Sequence, residues 1–265
     1  MKAVFSFWTA PKPVHRYDLE RWLFSVLLAR QWFPAVELHA CARGRGVLEA
    51  AGVPFDSVVD ITSGDLEGVP RGYWAVSKLV AVSKQEGDFV HLDEDVLLTG
   101  PLNLREAPAV YTQCPDDTDG WGAYYEECRA KLPGPLRSRL TGRKFHGYNC
   151  GVLGASGEVP FMRKFAEESL AAVREAARYD KSIKPMICCE QALLDRMAEE
   201  EGVSVKPVFA SREEMAASRR DYFHLTSTKY RSGVQLKVRK MLRERFPKEY
   251  AGLLRRVDDA IAISR

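Results

Sequence analysis

The chain has 265 residues, with 39 Lys and Arg against 36 Asp and Glu, a formal charge of +3 and a hydrophobic share of 46%. That is ordinary globular composition, enough for one large α/β domain and incompatible with wholesale disorder. No window approaches the roughly 18 apolar residues of a membrane span, and Pro11 and Pro13 come too early for a signal peptide. The six cysteines include no C-x-x-C unit, so reduced thiols and a cytoplasmic location are expected.

In chain order, Ala3 to Trp8 reads as a buried strand, and Leu19, Trp22, Leu23, Val26 and Leu27 then repeat at helical spacing. A strand over Ala35 to Cys41 follows, then a helix near Gly46 to Ala51, a strand near Ser57 to Asp60, a helix over Tyr73 to Lys84 and the apolar strand Asp88 to Leu92. Alternating strands and helices imply a mainly parallel sheet flanked by helices, in a single domain spanning 1–265. The stretch from Pro101 to Gly147 is rich in Pro, Gly and Asp and breaks the rhythm, which marks it as an insertion shaping a binding face. Tyr148 to Leu153 returns to strand and Phe161 to Ala177 to helix. Helices are also expected over Pro185 to Glu201 and over Leu236 to Ile263, the latter broken near Pro247, with a strand at Tyr222 to Leu225 between them. Residues 235–265 form a basic helical C-terminal extension.

P-loop, zincin, nucleophile-elbow and dinucleotide fingerprints are absent. What stands out is Phe89-Val90-His91-Leu92-Asp93-Glu94-Asp95-Val96, an apolar strand running into three acidic residues. Strand alternation would place Asp93 and Asp95 on one side and Glu94 on the other, so that two hard oxygen donors converge on one divalent cation able to hold a diphosphate. A second Asp-x-Asp, Asp117 and Asp119, lies in a turn-like Pro/Asp/Gly segment, where backbone preferences alone explain it. Position favours the first pair, since ligands of open α/β sheets sit beyond the carboxyl ends of strands.

Together with four further pieces in the same order, this motif resembles the GT-A fold glycosyltransferases, and within them the retaining glycogenin-like family. The pieces are Lys78-Leu79, His91 to Leu97, Tyr148-Asn149-Cys150-Gly151-Val152, Glu190-Gln191-Ala192-Leu193-Leu194, and His224 to Lys229. The resemblance implies a GT-A type, Rossmann-like sheet. It makes Asp93, Asp95 and His224 metal ligands for Mn²⁺ or Mg²⁺, Lys78 and Lys229 diphosphate contacts, and Asn149, Glu190 and Gln191 donor-sugar contacts and catalytic candidates. Phe7, Trp8 and Thr9, ending the first strand, would lie beside the nucleotide base. Here Glu190 stands where the family has Asp, and the His224 to Lys229 segment is one residue shorter and lacks its Gly.

The expected activity is therefore metal-dependent, hexosyltransferase-like transfer from a nucleotide-diphosphate sugar, a UDP-sugar first, to a hydroxyl acceptor, with retention implied by the resemblance. An inverting route would need a carboxylate base, for which Asp116, Asp117, Asp119 and Glu190 are candidates. Tyr73, Trp74, Trp121, Tyr124 and Tyr125 are candidates for an aromatic wall. Residues 219–256 hold 12 Lys/Arg and three acidic residues, which suggests a polyanion partner: a membrane-surface acceptor, or DNA with hydroxylated bases as in phage-type glycosyltransferases. A nucleotide-sugar-binding module without turnover is the non-enzymatic alternative.

Overall fold

Short runs rich in Val, Phe and Leu build the central sheet of the computed structural model, which describes residues 1–8, 13–104, 107–116, 121–141, 147–218 and 220–265, excluding the side chains of residues 121, 122 and 227. Strands β1 (Lys2–Phe7), β2 (Val36–Ala40), β3 (Ser57–Asp60) and β4 (Phe89–Leu92) are mutually parallel in the order β3-β2-β1-β4. A separate antiparallel ribbon joins β5 (Val96–Leu98) to a strand late in the chain, β9 (Tyr222–His224). The sheet continues beyond β4 with β7 (Tyr148–Ser156), β6 (Ala109–Pro115) and β8 (Val205–Pro207). β7 runs antiparallel to both β4 and β6, and β8 is parallel to β6. This is the mainly parallel, helix-flanked sheet that the alternation of strands and helices in the sequence implies.

Side chains alternate across the strands, so both faces of the sheet are buried. Ala3 and Phe5 of β1 join one cluster with α1 (Arg16–Ala29), α2 (Ala42–Ala51), α10 (Ser232–Arg245), α11 (Pro247–Leu254) and α12 (Val257–Ser264). Val4 joins the other, beneath α3 (Val76–Ser83), α6 (Val159–Ala176), α7 (Lys184–Ile187) and α8 (Leu193–Glu201). Among the described residues no helix is long and apolar enough to cross a membrane.

Several expected boundaries move. α2 begins at Ala42, well before Gly46, because the Cys41 sulfur caps it by accepting from the Gly44 N–H. Gly44 sits inside this helix where a Cβ would come within 2.9 Å of the Phe7 ring. α3 starts at Val76 rather than Tyr73; the Tyr73 hydroxyl instead donates to the Asp180 carbonyl at 2.8 Å. The stretch expected to be irregular contains β6, α4 (Trp121–Ala130) and α5 (Gly134–Arg139). The C-terminal helix breaks at Pro247, as expected, and again before Val257. The helix expected over 185–201 is interrupted by a π-helical turn at Cys188–Ala192, in which the Leu193 N–H reaches back five residues to the Cys188 carbonyl.

Candidate metal and donor site

Asp93 and Asp95 converge by a turn and not by strand alternation: β4 ends at Leu92, and the Val96 N–H closes onto the Asp93 carbonyl before β5 begins. The ribbon then brings in the third group. β5 pairs Val96 with His224 of β9, and the Leu225 N–H donates to the Asp95 carbonyl. Candidate ligand atoms of Asp93, Asp95 and His224 consequently lie within 4.8 Å of one another, with His224 Nε2 3.3 Å from Asp95 Oδ1. Glycine makes this possible, since a Cβ on Gly151 of β7 would sit 2.5 Å from His224 Cε1 and 2.4 Å from Gln113 Oε1.

Two lysines clamp the carboxylates. Lys78, buried at 5% exposure, places Nζ 2.9 Å from Asp93 Oδ1, 2.6 Å from Glu190 Oε1 and 2.7 Å from the Cys150 carbonyl. Lys229 Nζ lies 2.9 Å from both Glu94 Oε1 and Asp95 Oδ2. Glu94 also meets Arg21 of α1 at 3.3 Å, and Arg21 in turn pairs with Asp18. Five carboxylates (Asp18, Asp93, Glu94, Asp95, Glu190) thus face three permanent cations.

Burial is the leading influence on how these groups titrate, and the neighbouring charges decide which of them escape it. Burial raises the pKa of Asp93 above the usual carboxylate value despite Lys78, and does the same to Glu190. Burial opposes ionisation of Asp95 too, but there His224 and Lys229 win and hold its pKa below the ordinary range. The imidazole shows the converse: burial disfavours its cation, yet Asp95 and Asp93 raise its pKa. His91, buried and 2.9 Å from the Ser6 hydroxyl through Nε2, is kept neutral by burial with Lys78 adding to the effect.

A divalent cation fits this donor set. Hard carboxylate oxygens and one imidazole nitrogen suit Mn²⁺ or Mg²⁺, the excess negative charge calls for a cation, and His224 Nδ1 is buried without a hydrogen-bond partner in the protein.

The opposite wall comes from β7 and the π-helical turn. Asn149 Oδ1 accepts from the Gly151 N–H at 3.0 Å, which stiffens the strand end beside His224. The π turn carries Glu190 to Lys78, while the half-buried Gln191 receives the Tyr125 hydroxyl at 2.5 Å on its Oε1. Such turns widen a helix by one residue and often mark functional positions.

Phe7 is turned inward, its ring 5.2 Å from that of Trp22 and against Gly44, so the structure gives it a packing role. Trp8 is half-buried at the strand end, and Thr9, Asp117, Asp119 and the Trp121 side chain lie outside the described residues. Of the other base candidates, Asp116 is buried, takes Arg212 Nε and Nη2 at 2.8 and 2.5 Å and approaches Tyr125, while Glu190 is held by Lys78. The expected aromatic wall is divided: Tyr73 and Tyr125 are fully buried and Trp74 is 55% exposed. Arg21, Gln113 and Arg212 went unsingled in the sequence because each acts through a neighbour distant in the chain.

A search of curated proteins finds no match. Among solved structures, the galactosyltransferase LgtC in complex with donor and acceptor sugar analogs is 12% identical, covering 77% of this chain and 73% of its own, at a TM-score of 0.40. An active-site mutant of LgtC is 13% identical over 77% and 72%, at 0.45. Mouse xyloside xylosyltransferase 1 in its apo form is 14% identical over 78% and 84%, at 0.42. Residues 1–256 match the family described as "Family of unknown function (DUF6734)", which covers every element up to the start of α12, and the chain belongs to that family.

Proposed function

We propose that this protein is a metal-dependent glycosyltransferase that moves a sugar from a nucleotide-diphosphate donor, a UDP-sugar first among them, to a hydroxyl acceptor. The observation that carries the reading is the convergence of Asp93, Asp95 and His224 at the end of β4, flanked by two lysines. Asp93, Asp95 and His224 would hold Mn²⁺ or Mg²⁺, which supplies positive charge toward a departing diphosphate.

The chain's own residues divide the remaining work. Lys229, whose side chain is 20% exposed against 7% for the side chain of Lys78, can turn from Glu94 and Asp95 to a phosphate oxygen and add fixed positive charge where negative charge grows. Lys78 Nζ donates to the Cys150 carbonyl and lies within ion-pair distance of Asp93 and Glu190, so it acts through those two carboxylates by holding them in place. Asn149, Glu190 and Gln191 line the wall where the sugar would lie. Retention rests on the family resemblance alone.

The test is turnover of a panel of nucleotide sugars with Mn²⁺, with and without acceptors. Asp95→Ala should lower it on the order of 10²-fold while leaving the fold largely intact. Full activity in EDTA, or in that variant, would remove the metal mechanism.

A further inference from the structure

Tyr125, which the sequence offers only as part of an aromatic wall, reaches the site from α4 through the core. Its ring is completely buried and fits a slot that only a glycine leaves open: a Cβ on Gly147 would lie 2.4 Å from Tyr125 Cζ and 2.6 Å from its hydroxyl oxygen. Among the described residues, that oxygen lies 2.5 Å from Gln191 Oε1 and 3.3 Å from Asp116 Oδ2. The far end is anchored, because Asp116 Oδ1 receives both Arg212 Nε and Nη2 and the Asp116 N–H donates to the Gly147 carbonyl at 2.7 Å. The phenol, the carboxylate and the guanidinium thus form a strut from α9 (Arg212–Ala217) to the π-helical turn.

A phenol has a single proton to donate, and the geometry ranks these two acceptors. The 2.5 Å approach to Gln191 is the shorter, whereas 3.3 Å to Asp116 is long for an O–H···O bond. Burial, with Asp116 beside it, lifts the Tyr125 pKa far above its ordinary value, so the hydroxyl remains a donor throughout the working pH range. When the amide oxygen accepts from Tyr125, the amide Nε2 is the group left for a bound ligand.

We propose that Tyr125 is the positioning residue of the sugar subsite: it fixes the amide orientation of Gln191 so that Nε2 is presented as a hydrogen-bond donor to the transferred sugar, with Asp116 and Arg212 holding the phenol in place. This rests on the sugar-transfer reading of the site. The specificity that follows is for a donor sugar with an acceptor oxygen, a hydroxyl or ring oxygen, opposite Gln191. An amide free to rotate would offer oxygen and nitrogen alike and lose that discrimination.

The test is Tyr125→Phe, which keeps the ring in its slot and removes one oxygen. Turnover of a nucleotide sugar should fall about tenfold or more, while UDP affinity with Mn²⁺ stays within about twofold, because the diphosphate end is untouched. Since Tyr125 acts through Gln191, adding Tyr125→Phe to Gln191→Ala should cause no further loss. Arg212→Lys should give a weaker loss in the same direction. Losses that multiply in the double variant, or UDP affinity falling in step with turnover, would overturn the proposal. An arm independent of activity is the side-chain amide resonance of Gln191, assigned by its disappearance in Gln191→Glu: Tyr125→Phe should move it, and an unmoved resonance would also overturn the proposal. If the unaltered protein turns over no nucleotide sugar, the sugar-transfer reading falls, while the resonance still decides whether Tyr125 orients the amide.

Discussion

Gly151 shows how much the site asks of single residues. The backbone of β7 passes so close to His224 that even a methyl group would collide with the imidazole and with Gln113, whose Oε1 also accepts from the Tyr222 hydroxyl at 2.6 Å. Gly151→Ala should therefore cost about 1–3 kcal/mol of stability and, more tellingly, abolish the rise in melting temperature that UDP with Mn²⁺ is expected to produce. A variant that keeps the full response would show that His224 is not needed where it stands. At the other end of the sheet Glu37 sits among the His39 ring, the Lys2 ammonium and the Gln85 amide, with His39 first in holding its pKa down at about 2. Because the folded-state pKa is depressed, the unfolded chain binds more protons between about pH 2 and 4.5. The stabilisation is then complete above that window and lost as pH falls through it. Glu37→Gln should destabilise by on the order of 2 kcal/mol at pH 7, as read from denaturant midpoints, and the gap from the unaltered protein should shrink by more than half at pH 3. A pH-independent gap would mean that shape rather than charge matters at this position.

The elements with strong local signals were legible in the sequence. β1, α1, β2, β3, β4, β7 and α6 all fall within a few residues of their expected places, since each pairs a clear apolar period with flanking turn residues. β6 was not legible, because Ala109–Pro115 lies between prolines and its strand character comes from pairing with β7 and β8, partners far along the chain. The π-helical turn was hidden for a different reason: its residues have ordinary helical spacing, and only packing against Lys78 and Tyr125 reveals the inserted residue. The same division holds for the site. Asp93 and Asp95 announce themselves as acidic residues closing an apolar strand, whereas Tyr125, Arg21 and Arg212 carry no local sign of what they touch. α12 can be tested directly. It packs on α2, burying Val257 and Ala260, and the Ser264 hydroxyl accepts from the Val14 N–H at 3.1 Å, just before α1. Deleting residues 257–265 should lower the melting temperature on the order of 5–10 °C by uncovering Val47 and Leu48. An unchanged melting temperature would show that α12 adds nothing to the core.

Across the whole molecule, charge is unevenly placed, and the structure sorts the basic C-terminal segment into two groups. Lys229 faces the site carboxylates and Arg239 pairs with the buried Glu20, so both are used internally. Lys237, Lys240 and Arg243 lie on the exposed side of α10 with Leu236, whereas Arg219 lies outside the described residues. If that face meets a polyanionic acceptor, binding to DNA or to anionic vesicles should fall steeply with salt, and replacing Lys237, Lys240 and Arg243 together should flatten the slope without changing UDP affinity. No binding to either at about 50 mM salt would leave a soluble saccharide or a protein side chain as the acceptor. The ribbon of β5 and β9 has a consequence in time as well as in space. Asp95 and His224 are far apart in the chain and meet through that ribbon, so bringing them together closes a long loop, at an entropic cost that grows only slowly with its length. A chain still emerging from the ribosome carries its carboxylates long before its imidazole. If the proposed metal binds, the capacity to hold it arises only once His224 has been made, and the ion would act as a reversible cross-link fastening β9 to the end of β4.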